Sequence, residues 1–418
     1  YYTLISQNFF GVVLALFFLE DIPSMANIPF EIRFRVWSSV MFVLIFLPIS
    51  MIVTNYSLGC PDVKRKLFCY LANPIKKVYS QKDIFIKLLL VLLAFVSIGS
   101  ILYYVKTTPH YPLLMLLRGA SPLELAQARI IANEGSGIPF FIGHAIAKDL
   151  TKLLSLIAFC YWKKTGEIYD FLFFCFLFVM ASFILTYDLS KGPILEYFLS
   201  LAFLSILIKG RISLKSILRL GFAILALIIV LYLFVMGYKD RPNLLLNINQ
   251  GPLGRIIFGS NSGIYQSFMF YPEKENFTGV GPMLPSTIAS LCGVEKKERS
   301  MKVIYRYADP DWVKLKAAGV MNSLFVSEAW TSFGFWGVFI STFYVGFFLQ
   351  CIYLFFLNMP KNPLNLGYFV FILSLFDLNG GLVQFFYYSN FIFFTIIYFL
   401  LLSAATFLSQ GKTLKIFF

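Results

Sequence analysis

The chain alternates long apolar runs with polar connections, and this pattern predicts helices that cross a membrane. An α-helix needs about 20 mainly apolar residues to span the hydrocarbon core of a bilayer. Ten runs fit this description: 1–19, 36–55, 85–105, 139–161, 168–187, 193–209, 216–237, 330–357, 364–380 and 386–408. The first run has no basic leader and no small-residue cleavage site, so we interpret it as a span and not as a signal peptide. The pattern predicts an all-α polytopic membrane protein.

Lysine and arginine orient these spans, because loops that stay in the cytoplasm carry an excess of both. The most basic connections are 60–87 and 209–219, with further lysines at Lys163, Lys361 and Lys412. If the chain crosses the membrane ten times and both termini lie in the cytoplasm, all of these basic connections fall on the cytoplasmic side. The same parity places five loops on the outer side: 20–35, 106–138, 188–192, 238–329 and 381–385.

The connections divide the chain into three parts. Residues 1–237 hold the first seven spans, with a helical outer loop at 106–138. Residues 238–329 form a single outer loop, and residues 330–418 hold the last three spans. A long structureless loop is unusual in a compact protein. We therefore expect the loop 238–329 to fold against the helices and to carry function.

Composition supports the membrane assignment. Of the 418 residues, 59% are hydrophobic and 13% are charged, and the mean hydropathy is +0.76. Soluble domains carry roughly a quarter charged residues, so a soluble globular enzyme is excluded. The net charge of +14 falls mostly in the predicted inner loops, where it is an orientation signal. No nucleic-acid partner is needed to explain it.

The outer loop 106–138 contains a predicted short helix that runs through Ala132. Ser121 is a suitable N-cap, and Pro122 suits the first helical position. Glu124 stands at the third position, where its carboxylate can bond back to the cap.

Cysteine and histidine predict no metal site. Of six cysteines only Cys292 lies in a predicted outer loop, so that side has no disulfide framework. The two histidines, His110 and His144, do not form the Cys/His spacing of a zinc site. We expect neither a metal nor a cofactor.

Arginine is concentrated on the predicted outer side. Eight of the eleven arginines fall there: Arg33, Arg35, Arg118, Arg129, Arg241, Arg255, Arg299 and Arg306. Because a guanidinium binds phosphate or carboxylate through two parallel bonds, this bias predicts an anionic ligand such as a diphosphate. Arg129 on the short outer helix, Arg241 after span seven and Arg255 among glycines are the candidates. Solvated surface charge is the alternative for any single arginine.

Charged residues also stand inside the fourth span. His144, Lys148 and Lys152 are spaced four residues apart and share one face of an α-helix, where Asp149 can pair with Lys152. Charges at this depth are costly unless they face a polar cavity or each other. The pattern fits a functional cavity, with His144 as an acid–base candidate, or a buried structural ion pair.

Two outer helix junctions carry further candidates. Asp188, Lys191 and Glu196 flank a Gly-Pro turn between spans five and six. The lysine there can hold a phosphate or a sugar, or the segment is only a re-entry turn. Glu328 stands at the outer mouth of span eight, and a partly desolvated glutamate is suited to act as a general base. A helix-start acid favoured by the helix dipole is the alternative.

Three local strings resemble bacterial Wzy-type polymerases of O-antigen and other oligosaccharide repeat units. They are Ser190-Lys191-Gly192-Pro193 at a helix junction, Gly254-Arg255 with Tyr265-Gln266 downstream, and Asn322-Ser323 through Glu328-Ala329 to Phe333-Gly334. The many helices, the helical outer loop in the first half and the large outer loop before the last helices extend the likeness over most of the chain.

This resemblance implies a GT-C-like glycosyltransferase of the bacterial inner membrane, with its active side toward the periplasm. Such an enzyme polymerises repeat units linked to undecaprenyl diphosphate by transferring a glycan to a second lipid-linked unit. The implied partners are these lipids, the membrane, a chain-length regulator and a flippase. The implied diphosphate and glycan ligands are Arg129, Arg255, Arg241, Lys191, Asp188 and Asn322, and the implied assistant of the acceptor hydroxyl is Glu328 or His144.

Three other functions stay open. An O-antigen ligase uses the same lipid donor with a different acceptor. A flippase or transporter of these lipids predicts charges through a central cavity and comparable loops on both sides, and the large outer loop argues against it. A non-catalytic scaffold does not explain the charges inside span four.

Overall fold

A computed structural model describes residues 27–75, 81–108, 111–133, 138–210, 261–308, 310–314, 320–321 and 323–410, together with Val12. These residues are mostly helical, and none of them forms a β-strand. The all-α prediction is therefore confirmed for the described part. The predicted spans 1–19 and 216–237 lie outside it, apart from Val12.

The α-helices in chain order are α1 (Phe30–Ser57), α2 (Val63–Ala72), α3 (Gln81–Thr107), α4 (Pro112–Leu117), α5 (Pro122–Asn133), α6 (Ile138–Phe141), α7 (Thr151–Thr165), α8 (Ile168–Thr186), α9 (Lys191–Lys209), α10 (Ser262–Phe270), α11 (Ser286–Leu291), α12 (Ser300–Ala308), α13 (Pro310–Lys314), α14 (Phe325–Asn358), α15 (Pro363–Leu375), α16 (Val383–Phe386) and α17 (Ser389–Gln410). A π-helix, Ile142–Leu150, joins α6 to α7, and a 3₁₀-helix, Leu378–Gly380, follows α15.

Among the described residues, six helical segments are long and apolar enough to cross a membrane: Phe30–Ser57, Asp83–Thr107, Ile168–Thr186, Gly192–Lys209, Phe325–Asn358 and Val383–Leu408, the last of which comprises α16 and most of α17. Each coincides with a predicted span, because an uninterrupted apolar run is itself the signal for such a helix. The predicted span 139–161 is helical throughout but carries the charged residues of the π-helix and α7.

The predicted span 364–380 is longer than the helix found there. Helix α15 is only 13 residues long and ends at Leu375. Asp377 then caps the 3₁₀-helix by accepting a hydrogen bond from the Asn379 N–H at 3.1 Å. A carboxylate that accepts this backbone donor favours a turn over a continuing α-helix, so the helix ends two residues before Asp377 although the sequence there is still apolar.

The chain forms two compact units. The first comprises Tyr1–Val63, Tyr232–Phe355 and Phe376–Tyr388. Residues 261–308, which the sequence places in the predicted outer loop 238–329, belong to this unit. Phe270, Tyr271, Met301 and Ile304 form a buried cluster against which Trp330 of α14 packs. The Trp330 indole N–H donates to the Tyr271 carbonyl at 3.1 Å, so the loop is attached to the first turns of α14.

The second unit comprises Lys64–Leu231, Phe356–Leu375 and Ser389–Phe418. Its central helix is α7, in which every residue from Thr151 to Tyr161 is buried. Helix α15 crosses α7 closely at Gly367, where a Cβ atom would lie 2.6 Å from the Ile157 side chain. This close approach needs a residue without a side chain, and it leaves α7 enclosed by its neighbours.

Helix α5 begins as the sequence predicts. The Ser121 N–H and hydroxyl both donate to the Glu124 carboxylate at 2.8 Å. The Glu124 N–H donates back to the Ser121 hydroxyl oxygen at 3.4 Å. This reciprocal pair is a capping box, and it confirms the predicted N-terminus of the helix.

Candidate functional site

The first unit holds an arginine and a glutamate that come from distant parts of the chain. Glu328 lies in the first turn of α14, and its side chain is only 3% exposed. Arg299 directly precedes α12, and its side chain is 36% exposed. The Arg299 Nε–H donates to Glu328 Oε1. A buried carboxylate therefore holds a guanidinium that remains partly open to solvent.

Backbone groups of the turn after α15 complete this arrangement, which we call the Arg299 cluster (Arg299, Glu328, Gly380, Gly381 and Val383). The Arg299 Nη2 group donates to the Gly380 carbonyl. The Val383 N–H donates to Glu328 Oε2 at 3.0 Å. Both carboxylate oxygens of Glu328 thus accept hydrogen bonds, and this favours a role in orienting Arg299 over proton abstraction.

Gly381 is required by the geometry of the Arg299 cluster. Its φ of +95° lies in the left-handed region, which strains residues with a side chain. A Cβ atom at this position would also collide with Arg299 Nη2 and Glu328 Oε2. The turn can close over the ion pair only because this residue is glycine.

The start of α12 is tied to α14 by a second contact. The Thr331 hydroxyl donates to the Ser300 hydroxyl oxygen at 2.8 Å, and both residues are buried. Because Ser300 follows Arg299 and Thr331 lies one helical turn after Glu328, this bond fixes the two backbones beside the ion pair. The Arg299 guanidinium therefore has a defined position.

The second unit holds a separate group of buried charges. Lys148 Nζ lies 2.8 Å from Asp188 Oδ2, and their side chains are 9% and 3% exposed. Asp188 Oδ1 also accepts the Ser190 N–H at 3.0 Å. The intervening Leu189 has a φ of +56°, an uncommon conformation for a leucine. The turn between α8 and α9 is thus bent around the carboxylate that neutralises Lys148.

The ion pair predicted between Asp149 and Lys152 is replaced by contacts with other helices. Lys152 Nζ lies 3.6 Å from Glu196 of α9. Asp149 Oδ2 accepts a hydrogen bond at 2.6 Å from the Asn390 amide of α17. The predicted pairing assumed one continuous α-helix, whereas Asp149 lies in a π-helix that ends at Leu150 and Lys152 lies in the α-helix that follows.

His144 lies among aromatic rings. Its ring centroid is 4.2 Å from that of Phe140 and 6.1 Å from that of Tyr104. Within the described part of the chain, the buried Nε2 atom of His144 has no hydrogen-bond partner. This environment favours a packing role for the ring over acid–base chemistry.

The other predicted ligands are distributed as follows. Arg129 is half-buried on α5, and Lys191 is the first residue of α9. Arg241, Arg255 and Asn322 lie outside the described residues. The structure thus pairs Asp188 with Lys148 and Glu328 with Arg299.

Sequence reasoning missed Arg299 as a site residue. It appeared only as one of eight outer arginines, with nothing to distinguish it from Arg306. The adjacent glycines Gly380 and Gly381 after Asp377 were the available signal, since a glycine pair beyond an apolar run often marks a tight turn. Among the residues that the structure describes, no group of three or more His, Cys, Asp or Glu side chains is arranged to hold a metal.

Comparison with known proteins gives no match, since no family model, no curated protein and no solved structure matches this chain.

Proposed function

We propose that this protein is a membrane glycosyltransferase that polymerises oligosaccharide repeat units linked to undecaprenyl diphosphate. The observation that carries the proposal is the Arg299 cluster, in which a partly exposed guanidinium is held by a buried carboxylate at the start of a 34-residue apolar helix. Arginine is well suited to bind a diphosphate. The resemblance of the sequence to Wzy-type polymerases supplies the substrate class.

The proposed reaction needs a cation where negative charge develops. The acceptor hydroxyl attacks the anomeric carbon of the donor glycan while the bond from that carbon to the diphosphate oxygen breaks. The electron pair of that bond stays on the leaving lipid diphosphate, and a base takes the hydroxyl proton. A fixed guanidinium stabilises the leaving diphosphate without reorganisation. Glu328 contributes by holding Arg299 in place.

The remaining assignments follow from this reaction and from the loop parity of the sequence. Transfer takes place at the periplasmic face of the inner membrane, with both termini in the cytoplasm and with a flippase and a chain-length regulator as partners. Further contacts to diphosphate and glycan come from Arg241, Arg255 and Asn322, which belong to the same stretch of the chain as Arg299. Lys148 and Asp188 support the α8–α9 turn that precedes Lys191.

Deletion of the gene followed by complementation tests the proposal. We expect the deletion strain to carry surface polysaccharide with a single repeat unit, and the wild-type gene to restore the ladder on a gel. Arg299→Ala should abolish the ladder at an equal membrane level of protein. Arg306→Ala is the matched control, because Arg306 pairs with Glu298 on the surface and both side chains are about half exposed. An unchanged ladder in the deletion strain would refute the proposal.

Purified protein separates polymerisation from the two related activities. Lipid-linked repeat units extracted from the deletion strain are reconstituted with the protein as the only substrate. A polymerase forms a ladder of lipid-linked products. A ligase leaves these lipids unchanged until a second acceptor is added, and a flippase moves them between leaflets without forming a glycosidic bond. Either of the last two outcomes contradicts the proposed polymerase.

A further inference from the structure

Asp377 is an exposed acid at the end of an apolar helix. The end of α15 at Leu375 places this residue in the following turn and outside the helices that are long enough to span a membrane. Its side chain is exposed. The carboxylate therefore lies on the surface of the protein, at a turn and not inside an apolar helix.

Three hydrogen bonds fix the turn that carries Asp377. The Asn379 N–H donates to Asp377 Oδ1 at 3.1 Å and the Gly380 N–H donates to the Asp377 carbonyl at 2.9 Å. The Gln384 side-chain amide donates to the same carbonyl. The hydrogen bond from the Asn379 N–H to Oδ1 thus fixes the orientation of the Asp377 carboxyl group relative to the turn.

The same turn holds the Arg299 guanidinium. Gly380 accepts from Arg299 Nη2 and lies three residues after Asp377. With a rise of about 2 Å per residue in a 3₁₀-helix, the two backbone positions are about 6 Å apart along the turn. One short rigid segment therefore carries a carboxylate at its beginning and fixes a guanidinium at its end.

We propose that Asp377 is the general base that takes the proton from the acceptor hydroxyl. The inference rests on the glycosyl transfer proposed above. As the oxygen of the acceptor attacks the anomeric carbon, its proton passes to the Asp377 carboxylate, and the diphosphate leaves with the bonding electron pair beside Arg299. The resulting carboxylic acid returns its proton to water before the next transfer. The proposed base and the contact that holds the leaving-group cation thus belong to the same short turn.

The structure favours Asp377 over the two acid–base candidates taken from the sequence. Both oxygens of Glu328 accept hydrogen bonds within the Arg299 cluster, and Nε2 of His144 is buried among aromatic rings. Asp377 alone among these three has an exposed side chain. Neighbouring protein atoms remove part of its hydration, which raises the pKa of its carboxyl above the usual range, and the Asn379 N–H partly opposes this. A raised pKa makes a carboxylate a stronger base.

Asp377→Asn is the decisive variant, because asparagine is nearly isosteric and also serves well as a cap residue. In reconstituted protein with extracted lipid-linked repeat units, we expect its rate to fall about 100-fold or more, as for loss of a general base. Asp377→Glu should retain part of the rate. Asp311→Asn, at an exposed ion pair with Lys314, is the matched control and should behave as wild type.

Two further readouts separate base catalysis from a structural role. The wild-type rate should fall as the pH is lowered through the pKa of Asp377, and the residual rate of Asp377→Asn should lack this dependence. Among the described residues, Arg299 and Glu328 are the charged groups that hydrogen-bond to residues 380–383 of this turn. The pH profile of Glu328→Gln is therefore measured in parallel. Inorganic diphosphate should inhibit Asp377→Asn and wild type equally, whereas Arg299→Ala should weaken that inhibition.

The outcomes distinguish the two proposals. A wild-type protein that forms polymer while Asp377→Asn forms it at the same rate overturns the role of Asp377 and leaves the proposed function intact. A wild-type protein that forms no glycosidic bond overturns the proposed function, and the role of Asp377 falls with it. A low rate in Asp377→Asn with an unchanged pH profile shows a structural role and contradicts the inference.

Discussion

The ammonium group of Lys148 lies 2.8 Å from the carboxylate of Asp188, and both side chains are almost completely buried. The residues are 40 positions apart and belong to the π-helix and to the α8–α9 turn. The Lys148 ammonium also lies 5.8 Å from the centre of the Tyr104 ring. Such a pair is expensive to desolvate, but each charge depends on the other once both are buried.

Removing one partner of this pair should destabilise the protein strongly. Lys148→Met leaves the Asp188 carboxylate buried without its ammonium, and we expect a loss of about 3–5 kcal/mol. The thermal unfolding temperature of the purified protein in detergent measures this loss. The double variant Lys148→Met/Asp188→Leu should recover most of it, since a well-packed apolar pair can replace a buried ion pair.

Lys314→Met is the control for this prediction, because Lys314 and Asp311 form an exposed pair with side chains 76% and 80% exposed. Exposed pairs contribute about 0–1 kcal/mol, so its unfolding temperature should match wild type. If Lys148→Met also unfolds at the wild-type temperature, the buried pair does not stabilise the second unit.

Gly381→Ala should disrupt the Arg299 cluster. The new Cβ would collide with the Arg299 guanidinium and the Glu328 carboxylate, and the positive φ adds strain of about 1–3 kcal/mol. We expect the surface polysaccharide ladder to disappear at an equal protein level. Gly279→Ala tests the strain of a positive φ without a steric collision, because Gly279 has a φ of +62° and open space around its Cβ position. A normal ladder in Gly381→Ala would argue against a role of this cluster in transfer.

His144→Phe should leave function intact. The ring of His144 packs against Phe140 and Tyr104, and a phenyl ring keeps these aromatic contacts but loses the hydrogen bond of His144 to the Ala132 backbone. Loss of one hydrogen bond costs about 1 kcal/mol of stability. The complementation gel should show a normal ladder. Loss of the ladder at an equal protein level would instead assign His144 the chemical role that its sequence position suggested.

The capping box of α5 should make that helix sensitive to pH. Hydrogen bonds from the Ser121 N–H and hydroxyl lower the pKa of the Glu124 carboxyl. A lowered pKa means that the cap stabilises the helix above the unfolded-state pKa, and that this stability is lost as the pH falls through the folded-state value. Hydrogen-exchange protection of residues 122–133 should therefore decrease at acidic pH.

Ser121→Ala should mimic the acidic state at neutral pH. Loss of an N-cap serine costs about 1 kcal/mol of helix stability, so the amides of α5 should exchange faster than in wild type. The hydrogen-exchange protection of α5 in Ser121→Ala should depend less on pH than it does in wild type, because Glu124 no longer accepts a hydrogen bond from the Ser121 hydroxyl. Equal protection in both proteins at neutral pH would mean that packing, and not the cap, maintains α5.

Much of the helical framework could be predicted from the sequence because its causes are local. The runs that became α1, α3 and α8 are continuous apolar segments of sufficient length to cross a bilayer, and that property requires no knowledge of neighbours. The start of α5 was equally predictable, since Ser121 and Glu124 are three residues apart on one helical turn. The end of α15 at Leu375 was not predictable, because the sequence remains mostly apolar up to residue 380 and does not indicate the turn at Asp377.

The candidate site depended on tertiary structure. Arg299 meets Glu328 across 29 residues and Gly380 across 81, and nothing local marks Arg299 among the eight arginines that the sequence predicts to be on the outer side. Lys152 pairs with Glu196 and not with the adjacent Asp149. The sequence alone thus determined where the helices form and where charge is concentrated. The tertiary structure decided which charges meet, because a buried ion pair takes its partner from whichever helix packs beside it.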